Sequence, residues 1–181
     1  MALKSIIYKA DLNISDMDRG YYADHSLTIA RHPSETDERM MIRVLAFAIH
    51  AAERLEFGKG ISDTEEPDLW EKDYTDAIQL WVEVGQPDDR RLLKACGRAG
   101  QVLVYCYSNT CDIWWKQMNS RLERAKNLRV MQVPAQQSQA LEKLAQRNMQ
   151  LQCTIQDGQI WISSGDAQVQ IDLETLKAAG G

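Results

Sequence analysis

Apolar and polar residues alternate over residues 3–14, where Leu3, Ile6, Tyr8, Leu12 and Ile14 mark a half-buried strand. A turn at Asp16–Gly20 leads into a second strand over Tyr21–Arg31, and the two form an antiparallel hairpin. The period then changes. Met41, Val44, Leu45, Ala48, Ala51, Ala52 and Leu55 recur at helical spacing, which predicts a helix from Ser34 to Leu55. Ser34 is its expected N-cap, with Asp37 three residues on returning the bond as in a capping box. Residues 61–76 are acidic and irregular, with a short extended piece at Leu69–Lys72.

A strand at Ile78–Val84, a helix from Asp88 to Gly100 and a strand at Val102–Tyr107 come next. They are followed by a helix at Asp112–Arg124, capped by Asp112 or Thr110, a strand at Leu128–Val133 and a helix at Gln136–Asn148. Residues 151–163 read as a hairpin turning at Asp157-Gly158, a dipeptide that suits the left-handed turn of a tight hairpin. Ala167–Leu173 is one more strand, and 178–181 a frayed tail. Alternating strands and helices in the middle favour a mixed α/β sheet flanked by helices, here a core over residues 32–133. The β-rich ends, 1–31 and 149–176, are expected to pair into a second, antiparallel lobe, because exposed sheet edges seek partners. A length of 181 residues suits one compact domain or two small lobes.

The net charge of −5 and pI near 5.2 argue against general coating of nucleic acid, while leaving room for a local basic stripe. Four cysteines without a CxxC pair and three scattered histidines give no zinc spacing, which points to reduced thiols. The opening MALKSIIYKADLN lacks a signal-peptide core, and no apolar run approaches the ~20 residues of a membrane span. A cytoplasmic protein with no membrane association is expected.

Glu83 is the first chemical anomaly, since it interrupts an otherwise apolar strand. A dry, unpaired carboxylate is costly there. Strand alternation sets Gln79, Trp81 and Glu83 on one face. With Glu38 on the first helix and Asp68 after Pro67, it forms a candidate set of oxygen ligands for Mg²⁺. Such an ion lowers the pKa of bound water and stabilises phosphoryl charge. Among 26 acidic residues, ordinary surface acids are the plain alternative. Arg91, Lys94 and Arg98 share one face of the following helix, and Gln101 extends the line. Together with Arg90 they form a stripe that would suit a phosphate backbone or an attacking water, or that is simply a solvated helix face. Trp114, Trp115 and Trp161 read as packing residues. There is no glycine-rich phosphate loop and no Ser/Cys–His motif for acyl transfer.

The strings HPSETDERMMIR (32–43), Glu66-Pro67 with Trp70, LWVEVGQPDDRRLLKAC (80–96) and TIQDGQIWIS (154–163) resemble the YaeQ family of bacterial proteins over essentially the whole chain. The resemblance implies a variant of the PD-(D/E)XK nuclease-like fold with additional β structure. It implies a possible metal-dependent nuclease in which Mg²⁺, with Mn²⁺ as substitute, is held by Glu38, Asp68 and Glu83. Carried over by position, Glu38 matches the helix acid, Pro67-Asp68 the Pro-Asp element and Glu83 the acid of the acid-x-Lys tripeptide. Glu66 and Asp76 are alternatives to Asp68. The Lys position holds Gly85, so Lys94 or Gln101 is the candidate replacement, and Lys94 joins the expected catalytic set. The alternative is an inactive nuclease-like scaffold that binds nucleic acid or a protein of the gene-expression machinery through Arg91, Lys94, Arg98 and Gln101.

Overall fold

The computed structural model describes residues 4–180. Leu3, placed above in the first strand, and Gly181 of the tail lie outside them. The chain divides into two compact units: residues up to His50 with Gln136–Asp172, and Ala51–Ala135 with the residues from Leu173 on.

The first unit is built on a five-stranded sheet. Strands β1 (Ile6–Asp16) and β2 (Tyr21–Arg31) form the hairpin expected from alternation, in register from Ile6 opposite Arg31 to Asp16 opposite Tyr21. Strands β8 (Asn148–Gln156), β9 (Gln159–Ser164) and β10 (Ala167–Ile171) complete the order β10-β9-β8-β1-β2. Asp157 and Gly158 both take positive φ, 53° and 76°, as an Asp-Gly hairpin turn requires. The sheet is not purely antiparallel as anticipated, because β8 lies parallel to β1 from Lys9–Asn148 to Asp16–Ile155. β8 follows a long excursion of chain and can therefore arrive in either direction, whereas a tight hairpin admits only one.

Helix α1 (Asp37–His50) belongs to this unit and is buried from Met40 to Ala48. Its start differs from the expected Ser34 cap. Thr36 Oγ1 accepts the Arg39 N–H at 3.1 Å, while the Ser34 N–H donates to His32 Nδ1 at 3.0 Å. Two oxygen-bearing residues two positions apart competed for one cap, and the inner one has it. The helix also ends before Leu55, which lies instead in a short strand. Helix α4 (Ala135–Glu142) begins at the boundary between the units and is shorter than its pattern suggested.

The second unit carries a six-stranded sheet of order β11-β7-β6-β5-β4-β3. Its strands are β3 (Leu55–Phe57), β4 (Leu69–Lys72), β5 (Ile78–Val84), β6 (Ala99–Tyr107), β7 (Leu128–Val133) and β11 (Glu174–Lys177). β5, β6 and β7 are parallel, joined by α2 (Asp89–Arg98) and α3 (Cys111–Leu122) in consecutive βαβ units. Leu92, Ala95, Trp114 and Leu122 of these helices pack with Trp81, Val102, Val104, Cys106 and Val130 on one sheet face. Leu103 and Tyr105, pointing to the other face, are also buried, which explains why β6 reads as a continuous apolar run. All four cysteines are free thiols. The fold class is thus α/β with two mixed sheets flanked by helices.

β1 is an interior strand of the five-stranded sheet, paired on both sides, and Leu12 is only 1% exposed. Leu12→Ala should lower unfolding stability by about 2–5 kcal/mol, whereas Leu93→Ala on the exposed side of α2 should change it by less than about 0.5 kcal/mol. Urea denaturation of the two variants measures both, and comparable losses would overturn this assignment of the core.

Candidate functional site

The second unit brings Asp68 and Glu83 together. β4 and β5 are antiparallel with Leu69 opposite Val82, so Asp68, just before β4, faces Glu83 near the end of β5. The Asp68 N–H donates to Val82 O at 3.1 Å, and its Oδ2 accepts the Val84 N–H at 2.8 Å. The backbone beside Asp68 is crowded. Gly58 and Gly60 donate N–H groups to the carbonyls of Asp68 and Pro67 at 3.0 and 3.1 Å. A Cβ on Gly58 would clash with the Pro67 carbonyl, and one on Gly60 would lie 2.6 Å from Asp68 Oδ1. Glycine at these two positions lets the loop close over the acid.

Both carboxylates are buried, Asp68 at 1% and Glu83 at 4% exposure. Glu83 Oε1 accepts from Trp81 Nε1 at 2.8 Å and from Arg91 Nε at 2.7 Å. Burial pushes the Glu83 carboxyl above its ordinary range. The Asp68 charge adds to that rise, while the Arg91 guanidinium and the hydrogen bonds of Trp81 and Arg91 oppose it.

Arg91 does more than neutralise. Its Nη1 donates to Thr64 O at 2.7 Å and its Nη2 to Glu66 O at 3.0 Å, so one guanidinium joins β5, α2 and the acidic loop. The α2 N-cap, Asp88, accepts the Arg91 N–H at 2.8 Å and fixes the turn from which this side chain leaves. Lys94 Nζ bonds both oxygens of Glu65, at 3.0 and 3.2 Å. Arg98 donates to Glu65 O at 3.0 Å and lies 4.9 Å from the Trp81 ring centroid. The three basic residues predicted to share a helix face do share it, and that face lies along residues 64–66. Gln101 is exposed on β6, opposite Leu80.

Glu38 belongs to the first unit, where its Oε2 accepts from Ser138 Oγ at 2.8 Å. Glu66 lies 3.6 Å from Lys59 Nζ, and Asp76 is an exposed turn residue with φ 66°. Of Glu66, Asp68 and Asp76, only Asp68 faces Glu83. Among the described residues, no group of three or more His, Cys, Asp or Glu is arranged to hold a metal ion. In donor type the Asp68–Glu83 pair fits a hard divalent cation, which takes oxygen ligands and commonly needs only one or two carboxylates besides water and substrate phosphate. Sequence reasoning missed the Arg91–Glu83 bond and the two glycines. The signal for the bond was present in Glu83 itself, an acid in an apolar strand, followed by arginines one helical turn past a proline.

Two mixed sheets, parallel strands joined by helices and a buried acid pair beside the end of a parallel strand define an α/β protein with a concealed ionic site. The family described as YaeQ protein matches residues 1–173. The YaeQ proteins of Salmonella typhi and Escherichia coli K12 are 46% and 45% identical over 174 residues, covering 96% of this chain and 96% of each relative. The crystal structure of the YaeQ protein from Xanthomonas axonopodis pv. citri aligns with TM-score 0.92 at 46% identity, covering 96% of this chain and 99% of that one. The YaeQ protein from Pseudomonas syringae aligns with TM-score 0.91 at 37% identity, covering 98% of both. The chain belongs to the YaeQ family. Among the described residues, no helix is long and apolar enough to cross a membrane.

The raised Glu83 value fixes a sign for pH dependence. A carboxyl whose folded pKa lies above its unfolded value of about 4.5 binds its proton more tightly in the folded state. Its contribution to stability is fully present below that pH and is lost as pH rises through the folded pKa. Denaturation of wild type and Glu83→Gln across this range should show the wild type losing ground to the variant as pH rises above 4.5. A difference that stays constant would overturn the raised value.

Proposed function

We propose that this chain is a nuclease-like protein of the PD-(D/E)XK type, acting on phosphodiester bonds of nucleic acid with Mg²⁺ held by Asp68 and Glu83. The observation that carries the reading is the buried acid pair formed by Asp68, just before β4, and Glu83 on β5, in the sequence arrangement Pro67-Asp68 followed by Glu83-Val84-Gly85. When bound, Mg²⁺ or Mn²⁺ supplies a Lewis acid for the phosphoryl oxygens and a water of lowered pKa. The chain's own residues do the rest. Asp68 and Glu83 hold the ion, and Trp81 orients Glu83. Arg91 keeps the pair neutralised and is well placed to move onto a phosphate, for which a guanidinium fork is suited. The reading uses residues of the second unit alone, and Glu38 enters it only through the family pattern.

Two observations favour a second reading. Gly85 stands where the lysine would be, and the Glu83 oxygen is already bonded to Arg91. These fit a scaffold that binds nucleic acid, or a protein of the gene-expression machinery, without turnover.

Calorimetric titration of Mg²⁺ and Mn²⁺ into wild type and Glu83→Ala, beside a screen of single- and double-stranded DNA and RNA for cleavage, separates the two. The nuclease reading expects saturable binding that vanishes in the variant, together with cleavage that vanishes with it. Ion binding left intact in Glu83→Ala would overturn it. Salt-sensitive retention of nucleic acid without cleavage, weakened by charge reversal at Arg91 and Arg98, would establish the scaffold instead.

A further inference from the structure

The solvent face of the five-stranded sheet in the first unit holds a cavity of about 600 Å³, a volume in the usual range for small-ligand sites. Strand register places its side chains in rows across the sheet. One row runs Gln168–Ser163–Gln152–Asn13–Asp24 over all five strands. The next runs Gln150–Asp11–Ser26. On the opposite side of the first lies Gln170–Trp161–Thr154–Ser15–Tyr22, which sets an aromatic ring on β9 and another on β2. Three strand spacings separate these two strands, roughly 14 Å. Tyr22 is 63% exposed and Trp161 half-buried.

The polar groups are held in place before any ligand arrives. Asp11 accepts from Ser26 Oγ at 3.0 Å and from Gln150 Nε2 at 2.8 Å, bonds that also keep its carboxyl below the ordinary range. Asp24 Oδ1 accepts from Asn13 Nδ2 at 2.6 Å. Each such bond fixes an amide or acid in one orientation and lowers the ordering cost of binding.

The chemistry selects a ligand class. No lysine or arginine lines the cavity among the described residues, and its charged side chains are Asp11 and Asp24, so a polyphosphate would be repelled. The walls present amides, hydroxyls and carboxylates, which suit a ligand dense in hydroxyls. An aromatic ring has an apolar face that can cover C–H groups while the polar neighbours satisfy the oxygens. We infer that this sheet face is a binding site for a neutral oligosaccharide, lying across the strands on the Gln152–Asn13 row with its hydroxyls in the cavity and extending over the neighbouring row toward Trp161 and Tyr22, which lie outside the cavity's lining. The site is independent of the acid pair in the other unit.

The test is isothermal titration of maltohexaose, cellohexaose, laminarihexaose, xylohexaose and mannohexaose into the full chain, at low and at high salt. Gln152→Ala and Tyr22→Ala, both at exposed positions, serve as the variants, with far-UV circular dichroism confirming their fold. At least one sugar should bind saturably with little dependence on salt, and each variant should weaken it by about tenfold or more. Failure of the whole panel to bind would overturn the proposal. So would binding that both variants leave unchanged, or binding of spermidine or a single-stranded oligonucleotide with none of the sugars.

Discussion

Two carboxylates buried side by side, one just before a strand and one on its neighbour, are costly unless positive charge is brought to them. Much of the second unit follows from that constraint. Arg91 supplies the charge, and its reach dictates where α2 starts, since Asp88 must cap the helix so that the next turn points the guanidinium at Glu83. The same guanidinium takes the carbonyls of Thr64 and Glu66, which draws the acidic loop down over the site. The loop can come so close only because Gly58 and Gly60 carry no side chain against Pro67 and Asp68. Glu65 is thereby brought within reach of Lys94 and Arg98. A helix face that looks free in isolation is in this way committed to the protein's own acidic loop.

How legible each part was depended on the range of the forces involved. Local signals served well. Alternation located β1, β2 and β5, the short extended piece at Leu69–Lys72 is β4, and Asp157-Gly158 turns the hairpin as its residue types require. Ends were read less well where two similar residues competed, as with Ser34 and Thr36, or where helix gives way to strand with no intervening loop, as between Arg98 and Ala99. Long-range pairing was out of reach. Nothing in residues 148–156 states that β8 will lie parallel to β1, and nothing in 174–177 states that β11 will join β7 in the other sheet. Those choices are settled by which edge remains open after the nearer strands have paired.

The site divided along the same line. Glu83 was conspicuous because a charge in an apolar strand breaks a local rule, and such breaks tend to mark sites of function or strain. Its partner was not conspicuous. Helical spacing puts Arg91 with Lys94 and Arg98, and only the path of the loop shows that Arg91 turns to Glu83 while the others turn to Glu65. The polar sheet face of the first unit was concealed for a related reason. Its Asn, Gln and Ser residues look like ordinary outward positions strand by strand, and the rows emerge only when the registers of five strands are superposed.

Gly85 explains why an arginine stands beside Glu83. With φ at 108° the chain needs glycine there to leave the strand, so a lysine two residues past the acid would be strained. The positive charge instead arrives from the next helix, and it arrives as a guanidinium. An arginine remains protonated throughout the working pH range and cannot act as a base. Under the proposed reading Asp68 and Glu83 are taken up by the ion, so Arg91 supplies charge and no base. Moving the cation from strand to helix thus keeps the charge that a lysine two residues past the acid would bring and gives up that lysine's capacity to take a proton.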